Sequence, residues 1–397
     1  MTAPADLVQT YLRPGTLNLG AQPPLALYVH LPWCLRKCPY CDFNSHEIAS
    51  GDLPEQRYLD ALVADLEASL PFVWGREVHS VFIGGGTPSL FSPQGIDRLL
   101  SDIRARLKLA ADCEITLEAN PGTFEKDRFR SFRDAGVNRL SIGVQSFDDA
   151  HLKALGRVHD RAQAIAAVEE AQLAFDTFNI DLMYALPGQQ MEQLESDLAQ
   201  ALALMPPHLS VYHLTIEPNT YFAKFPPQVP EEDLAYSMLD RITEITSGAG
   251  YERYEVSAYA KKGHRCRHNV NYWQFGDYLG IGAGAHGKLS FPHRVVRQVR
   301  YRDPRAYMDN ALAGNAVAQA HEVARDQLPF EFMLNALRLR DGFALALFME
   351  RTGLPLTAIG KPLQDAEARG LIERDFAHVK PTEKGFDFLS DLQQLFL

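Results

Sequence analysis

The sequence predicts an α/β protein: a partial TIM-type barrel of six β/α units, extra strands after it, and a small, mostly helical, winged-helix-like C-terminal domain. Three observations predict it. Six short, β-branched apolar runs alternate with amphipathic stretches between residues 25 and 216, and parallel strands under helices read as near-continuous apolar runs. A polar or glycine-rich feature stands near the same end of successive runs, and such barrels carry their working groups at the C-terminal ends of their strands. Beyond residue 321 the pattern turns to short helices closed by a hairpin.

LALYVHL reads as the first strand and PEQRYLDALVADLEASL as a helix with Pro54 near its start. VHSVFIGGG is the second strand, and SPQGIDRLLSDIRARL is a helix capped by Ser92 with Pro93 as its first residue. EITLEAN, then the helix KDRFRSFRDAG ending at Gly136, continue the alternation. RLSIGVQ, TFNIDLMYAL and LSVYHLTI supply three more strands. The organisation expected is an N-terminal extension over 1–24, a barrel domain over 25–240, a barrel extension over 241–320 and the small domain over 321–397. In the last, EVARDQLPFEFMLNALRLRDG, FALALFMERTG and PLTAIGKPLQDAEARG read as helices, before a hairpin and a final helix.

Composition narrows the class. The 397 residues are 46% hydrophobic, enough for a large domain and a smaller one. No apolar run reaches the ~18 residues of a membrane span, and the N-terminus lacks a basic start before an apolar stretch, so a cytoplasmic protein is expected. A net charge of -11 argues against general nucleic-acid binding. The winged-helix-like tail holds 9 Lys+Arg and 12 Asp+Glu, a net of -3, and offers no phosphate-binding excess. It is expected to serve as a lid or a partner-docking module.

Chemistry concentrates in HLPWCLRKCPYCDFNSH, where Cys34, Cys38 and Cys41 are spaced C-x3-C-x2-C with no fourth cysteine nearby. Three thiolates can hold three irons of a [4Fe–4S] cluster and leave one iron open to a ligand. Two other readings stay open here: a zinc tetrahedron completed by His46, and cysteines that are merely small buried hydrophobes. Cys113 and Cys266 stand alone and read as core residues. The GGGTPSL run, Glu118, Gln145 and Asp181 fall near the ends of the next strands and imply one shared pocket with the cysteine loop, within reach of Arg157. Successive glycines let a ligand approach the backbone, carboxylates accept from hydroxyls or ammonium, and Arg157 can pair with a carboxylate bidentately. Taken singly, the glycines read equally as a tight turn and the carboxylates as satisfied strand ends.

Tyr28-x-His30-x-Pro32, the three cysteines, GGGTPS and GVQSFDDAHLKALGR together resemble a radical S-adenosylmethionine enzyme. They are more closely similar to the group of oxygen-independent coproporphyrinogen III dehydrogenase, and within it to the HemW branch, described as heme chaperones. The resemblance covers most of the chain. It implies that Cys34, Cys38 and Cys41 hold a [4Fe–4S] cluster whose open iron chelates S-adenosylmethionine. It implies that Tyr28, Gly85, Gly86, Thr87, Glu118, Gln145, Arg157 and Asp181 bind that cofactor, with Phe43 contributing a backbone amide. The dehydrogenase carries a further cysteine where this chain has Phe43, and an N-terminal substrate-binding extension of which nothing is recognised in the 27 residues before Tyr28. Both departures favour the chaperone over a radical enzyme acting on a tetrapyrrole.

A second marker is RHNVNYWQFGDYLGIGAGAHG, where His268, Asn269, Tyr272 and Trp273 make the H-N-x-x-Y-W signature of that branch. His268 is the candidate axial ligand for heme iron, with His264 and His286 behind it. The bland reading is a hydrogen-bonded core histidine, followed by a strand and turn closing the barrel floor. The implied partners are heme, a heme-acceptor protein and an electron donor to the cluster.

Overall fold

The computed structural model describes residues 9–48, 52–123 and 128–397. Six apolar runs form the expected strands: β1 Leu25–Leu31, β2 Glu77–Gly85, β3 Lys108–Ala119, β4 Arg139–Gln145, β5 Phe178–Tyr184 and β6 His208–His213. They pair in parallel, each with the next in sequence. The helices between them are α1 Glu55–Val73, α2 Pro93–Arg106, α3 Arg128–Ala135, α4 Arg161–Ala174 and α5 Met191–Ala203. Lys126 and Asp127 of the expected third helix lie outside the described residues.

The cap at Ser92 forms as expected, and the structure adds a second at Asp160. Ser92 caps α2 by accepting from Gly95 N–H, and Glu55 at the start of α1 in turn accepts from the Ser92 hydroxyl and amide. Asp160 caps α4 in a reciprocal capping box with Gln163. The buried faces of these helices and strands share one core, in which Leu27, Val81, Leu117, Ile142 and Ile180 are fully buried.

After α6 Glu232–Gly248, the chain adds strands to both edges of the barrel. β7 Glu252–Arg253 and β8 Ala258–Ala260 join the β6 edge, antiparallel. The short α7 Arg267–Trp273 then leads to β9 Asp277–Ile281, which lies parallel to β1 on its free side and extends the six expected parallel strands to seven. Close approach there requires glycine: Gly282 has φ +105°, and a Cβ on it would stand 2.3 Å from His30 O. β10 His286–Phe291, β11 Arg294–Arg300 and β12 Val317–Glu322 continue antiparallel to the outer edge of a 12-stranded sheet.

The long helix expected over 322–342 is corrected to Leu328–Ala336. β12 takes only Glu322 of it and residues 323–327 form coil and a turn; Pro329 fits only the first turn of a helix, so the helix begins beside it. The C-terminal unit carries five α-helices, counting that one, and β13 Phe343–Ala344, β14 Ile372–Arg374 and β15 His378–Pro381, in the antiparallel order β13-β15-β14. Its core centres on Phe332, which meets Phe275, Phe343 and Phe348 edge-on with centroids 5.1–5.8 Å apart. Leu17 and Leu19 from the N-terminal segment pack into that same core. No described helix is long and apolar enough to cross a membrane.

Candidate functional site

The cysteine loop leaves β1 and is tied down at its base. Trp33–Cys34 pairs in parallel with His46–Glu47, Cys41 N–H donates to Cys38 O (3.1 Å), and Thr87 N–H to Trp33 O (2.8 Å). Asn44 clamps the loop to the far end of the chain: its Nδ2 donates to Ala283 O and to Arg302 O, both 2.9 Å. Burial holds the His30 pKa down at about 4, so the ring is neutral. Its Nε2 faces the Asn44 carbonyl (2.9 Å) and must carry the proton, leaving Nδ1 to accept from the Tyr28 hydroxyl (2.9 Å).

A cavity of about 430 Å³ opens against this loop at the C-terminal ends of the strands. Cys34, Cys38, Cys41, Phe43, Gly85, Gly86, Thr87, Glu118, Gln145, Arg157 and Asp181 all line it. The structure therefore brings together every expected residue of the pocket except Tyr28, which stands behind Phe82 with its hydroxyl on His30. The glycines have a packing role as well. Gly85 has φ +120°, and a Cβ there would meet the His30 ring at 2.7 Å; one on Gly86 would meet Trp33 O at 2.6 Å. The glycine run is what lets the second strand lie against the cysteine loop.

The two carboxylates are half-buried in the cavity wall, and the Arg139 guanidinium is the cation that acts on Asp181. Glu118 accepts from Gly85 N–H (3.0 Å), yet burial and the nearby Asp181 carboxylate push its pKa up to about 8. Asp181 accepts from Asn179 Nδ2 (2.7 Å) and the Ser141 hydroxyl (3.1 Å), and burial also raises its pKa. Gln145 ends β4 in the left-handed region (φ +69°) beside a register shift. A non-glycine residue there stores about 1–3 kcal/mol of strain, a cost met most often at functional sites. Half-buried Arg157 spans the gap, with Nη2 on Gly143 O (2.7 Å) and Nη1 3.5 Å from the Cys38 sulfur, while its Nε has no partner among the described residues.

The donor set suits an iron–sulfur cluster. The thiols face one cavity, with Thr87 Oγ1 3.5 Å from the Cys34 sulfur and Ser45 Oγ 3.6 Å from the Cys41 sulfur. Burial raises the Cys34 thiol to about 11, so the loop in isolation favours the protonated form and a metal must supply the charge that stabilises thiolate. Among the described residues, no three His, Cys, Asp or Glu side chains converge as a single ion requires. His46 spends its Nε2 on Asn44 Oδ1 (3.4 Å). Cys113 and Cys266 are buried away from the loop, Cys266 against Glu114.

The histidines expected to reach a heme lie elsewhere. His268 sits on the barrel floor, buried beneath Phe82 and Tyr28 with ring centroids at 5.0 and 6.5 Å, and its Nδ1 is 3.2 Å from Ser80 Oγ. Its amide and that of Arg267 both donate to Glu114 (3.2 Å). At the other end of α7, Trp273 stacks under the Arg338 guanidinium at 4.2 Å, so this helix spans from the barrel floor to the C-terminal unit. His264 pairs with Thr177 at the entrance to β5, and His286 begins β10 in an exposed position.

Known proteins match this chain over most of its length. The radical SAM superfamily profile matches residues 28–201, and the HemN C-terminal domain profile matches residues 323–388. The Escherichia coli (strain K12) protein named heme chaperone HemW is 48% identical over 377 residues, covering 94% of this chain and 98% of that one. The chain belongs to the HemW family. The Haemophilus influenzae heme chaperone HemW is 45% identical, covering 94% of this chain and 98% of its own. A mouse mitochondrial protein, radical S-adenosyl methionine domain-containing protein 1, is 35% identical, covering 96% and 90% respectively. The fold is that of Escherichia coli coproporphyrinogen III oxidase, a solved structure with TM-score 0.81 at 24% identity, covering 99% of this chain and 93% of that one.

Some lining residues escaped the sequence reading. Arg139 and Ser141 of β4, Asn179 and Met183 of β5, and Ser210 and Tyr212 of β6 project into the barrel beside the expected residues. The signal was there as a period of two within runs read as continuously apolar: Arg139-x-Ser141-x-Gly143 and Asn179-x-Asp181-x-Met183. Tyr212 is 43% exposed while Asp181, Glu118 and Ser210 surround it, because the surface it shows belongs to the cavity.

Proposed function

We propose that this protein is a heme chaperone, which binds heme and passes it to an acceptor protein. In this reading Cys34, Cys38 and Cys41 hold a [4Fe–4S] cluster. Phe43, Gly85, Gly86, Thr87, Glu118, Gln145, Arg157 and Asp181 form the cradle for exchangeable S-adenosylmethionine, and Tyr28 supports it from behind. The observation that carries it is a three-thiol loop lining the same cavity as a glycine run, two neighbouring carboxylates and Arg157, in a chain that matches proteins named heme chaperones almost end to end. The bound cluster supplies an open iron for the amino and carboxylate groups of S-adenosylmethionine and an electron for cleaving its sulfonium.

The protein's own groups do the positioning. Arg157 anchors Cys38 to β4, and Thr87 holds Cys34. Glu118 and Asp181 present paired carboxylates to a cationic, hydroxyl-bearing ligand. The loop stands at the open end of the barrel, where an external electron donor can reach it, and a cytoplasmic location matches thiolate ligation, which needs reducing conditions.

The test is anaerobic reconstitution followed by iron and sulfide analysis and a hemin titration of the loaded protein. About four irons per chain and saturation near one heme are expected. Stoichiometric zinc without iron would overturn the cluster. Unsaturable heme binding together with coproporphyrinogen consumption would replace the chaperone by an enzyme.

A further inference from the structure

We propose that heme docks at the mouth of the cavity, with the His213 imidazole on its iron and the macrocycle against the exposed aromatic rings of Phe43, Tyr221 and Phe225. This rests on the chaperone reading and names its heme site. His213 ends β6, is exposed, and lines the cavity together with Phe43 and Arg36. Its ring lies 5.1 Å from that of Tyr184 and makes no side-chain hydrogen bond among the described residues. Partial burial holds its pKa below the ordinary value, so at neutral pH a nitrogen lone pair is free for iron.

The surroundings suit a flat apolar ligand. Phe43 of the cysteine loop and Tyr221 and Phe225 of the turn packed against it are 65%, 63% and 53% exposed. The turn Tyr221–Lys224 is fixed to that loop: Phe222 N–H donates to Pro39 O (3.0 Å), and the buried Phe222 ring lies 6.5 Å from Tyr40. Tyr221 and Phe225 pack with centroids 4.9 Å apart, and Lys224 Nζ stands 5.3 Å over the Phe225 ring. Large aromatic surface left in the open beside a cavity marks a binding face. Heme also carries propionates, and Arg36 and Lys224 are exposed cations without an ion pair among the described residues.

The barrel floor is a poorer place. A macrocycle reaching His268 would have to displace Phe82 and Tyr28, break the contact with Ser80 and enter the space assigned to S-adenosylmethionine. His286 does not line the cavity.

The experiment is an anaerobic hemin titration of the full-length, cluster-loaded protein, read by the Soret band, for wild type, His213→Ala, His268→Ala and Lys224→Glu. His213→Ala is expected to shift the Soret band and weaken binding at least about tenfold, with added imidazole restoring the wild-type spectrum. Lys224→Glu should weaken binding several-fold without moving the band. His268→Ala, checked for intact cluster absorbance and circular dichroism, should keep the wild-type spectrum. Saturable wild-type binding with an unchanged His213→Ala spectrum would overturn the site and leave the chaperone reading standing. If wild type itself shows no saturable binding, the chaperone reading falls, and this site with it.

Discussion

Glu118 gives the sharpest test of the cavity as a cofactor cradle. Its carboxyl is buried with Asp181 as a neighbour, and only the Gly85 amide among its contacts favours the charged form, so its pKa stands at about 8. Tyr28 and Tyr212 also face it, and burial holds both neutral, so neither adds negative charge beside it. In the free protein at pH 7 the group is therefore protonated. A ligand bearing a sulfonium, with hydroxyls for Glu118, favours the carboxylate, so binding below the pKa must release a proton. Affinity for S-adenosylmethionine should then rise by about tenfold per pH unit between about pH 6 and pH 8, and level off above. Calorimetric titration of the cluster-loaded protein across that range measures the slope. Glu118→Gln has no proton to release, so its slope should be smaller by one proton. Its affinity at pH 8 should fall about 10- to 100-fold, the weight of a charge-assisted hydrogen bond. The same proton acts on stability with a definite sign. A carboxyl whose pKa is raised by folding stabilises the fold fully below its unfolded value, and that contribution is lost as pH rises towards about 8. Equal slopes for wild type and Glu118→Gln, or an affinity that falls as pH rises, would refute the reasoning.

Three further outcomes are expected. Replacing Cys34, Cys38 or Cys41 singly by Ser should abolish visible cluster absorbance and bound iron while leaving the far-ultraviolet circular dichroism unchanged. Asn44→Ala removes both hydrogen bonds that hold the cysteine loop to residues 283 and 302; at about 1 kcal/mol each, the loss should show as faster cluster release in air before any fall in global stability. Asp65→Ala strips the buried Arg300 guanidinium of its carboxylate (3.1 Å) and Tyr307 of its acceptor (2.9 Å); this should cost about 3–5 kcal/mol in urea denaturation, whereas losing exposed pairs such as Arg57–Asp309 should be near neutral.

Much of the fold and site was legible because its signals are local. Parallel strands under helices tend to be apolar and β-branched, a helix start favours a capping side chain, and here the three cysteines fall within one short loop. The six strands of the barrel, the cap at Ser92 and the cysteine loop all arise from neighbours within a few residues. The placement of polar groups at strand ends is then dictated by the handed geometry of β/α units, which is why Glu118, Gln145 and Asp181 come together.

What only the tertiary structure decided lies in pairings between distant segments. β9 closes onto β1 across more than half the chain, the Asn44 clamp joins residues 239 and 258 positions apart, and β12 pairs with β11 at the sheet's outer edge. No local pattern encodes such a contact, because its stability comes from burial and hydrogen bonds that exist only once both partners are in place. The same holds for the histidines. The motif around His268 marked a residue of chemical consequence, but whether an imidazole meets solvent or lies beneath Phe82 is decided by where α7 packs. The sequence by itself determined the order of the six barrel strands, the cysteine loop and the residue types of the pocket; the three-dimensional packing decided which imidazole was left free.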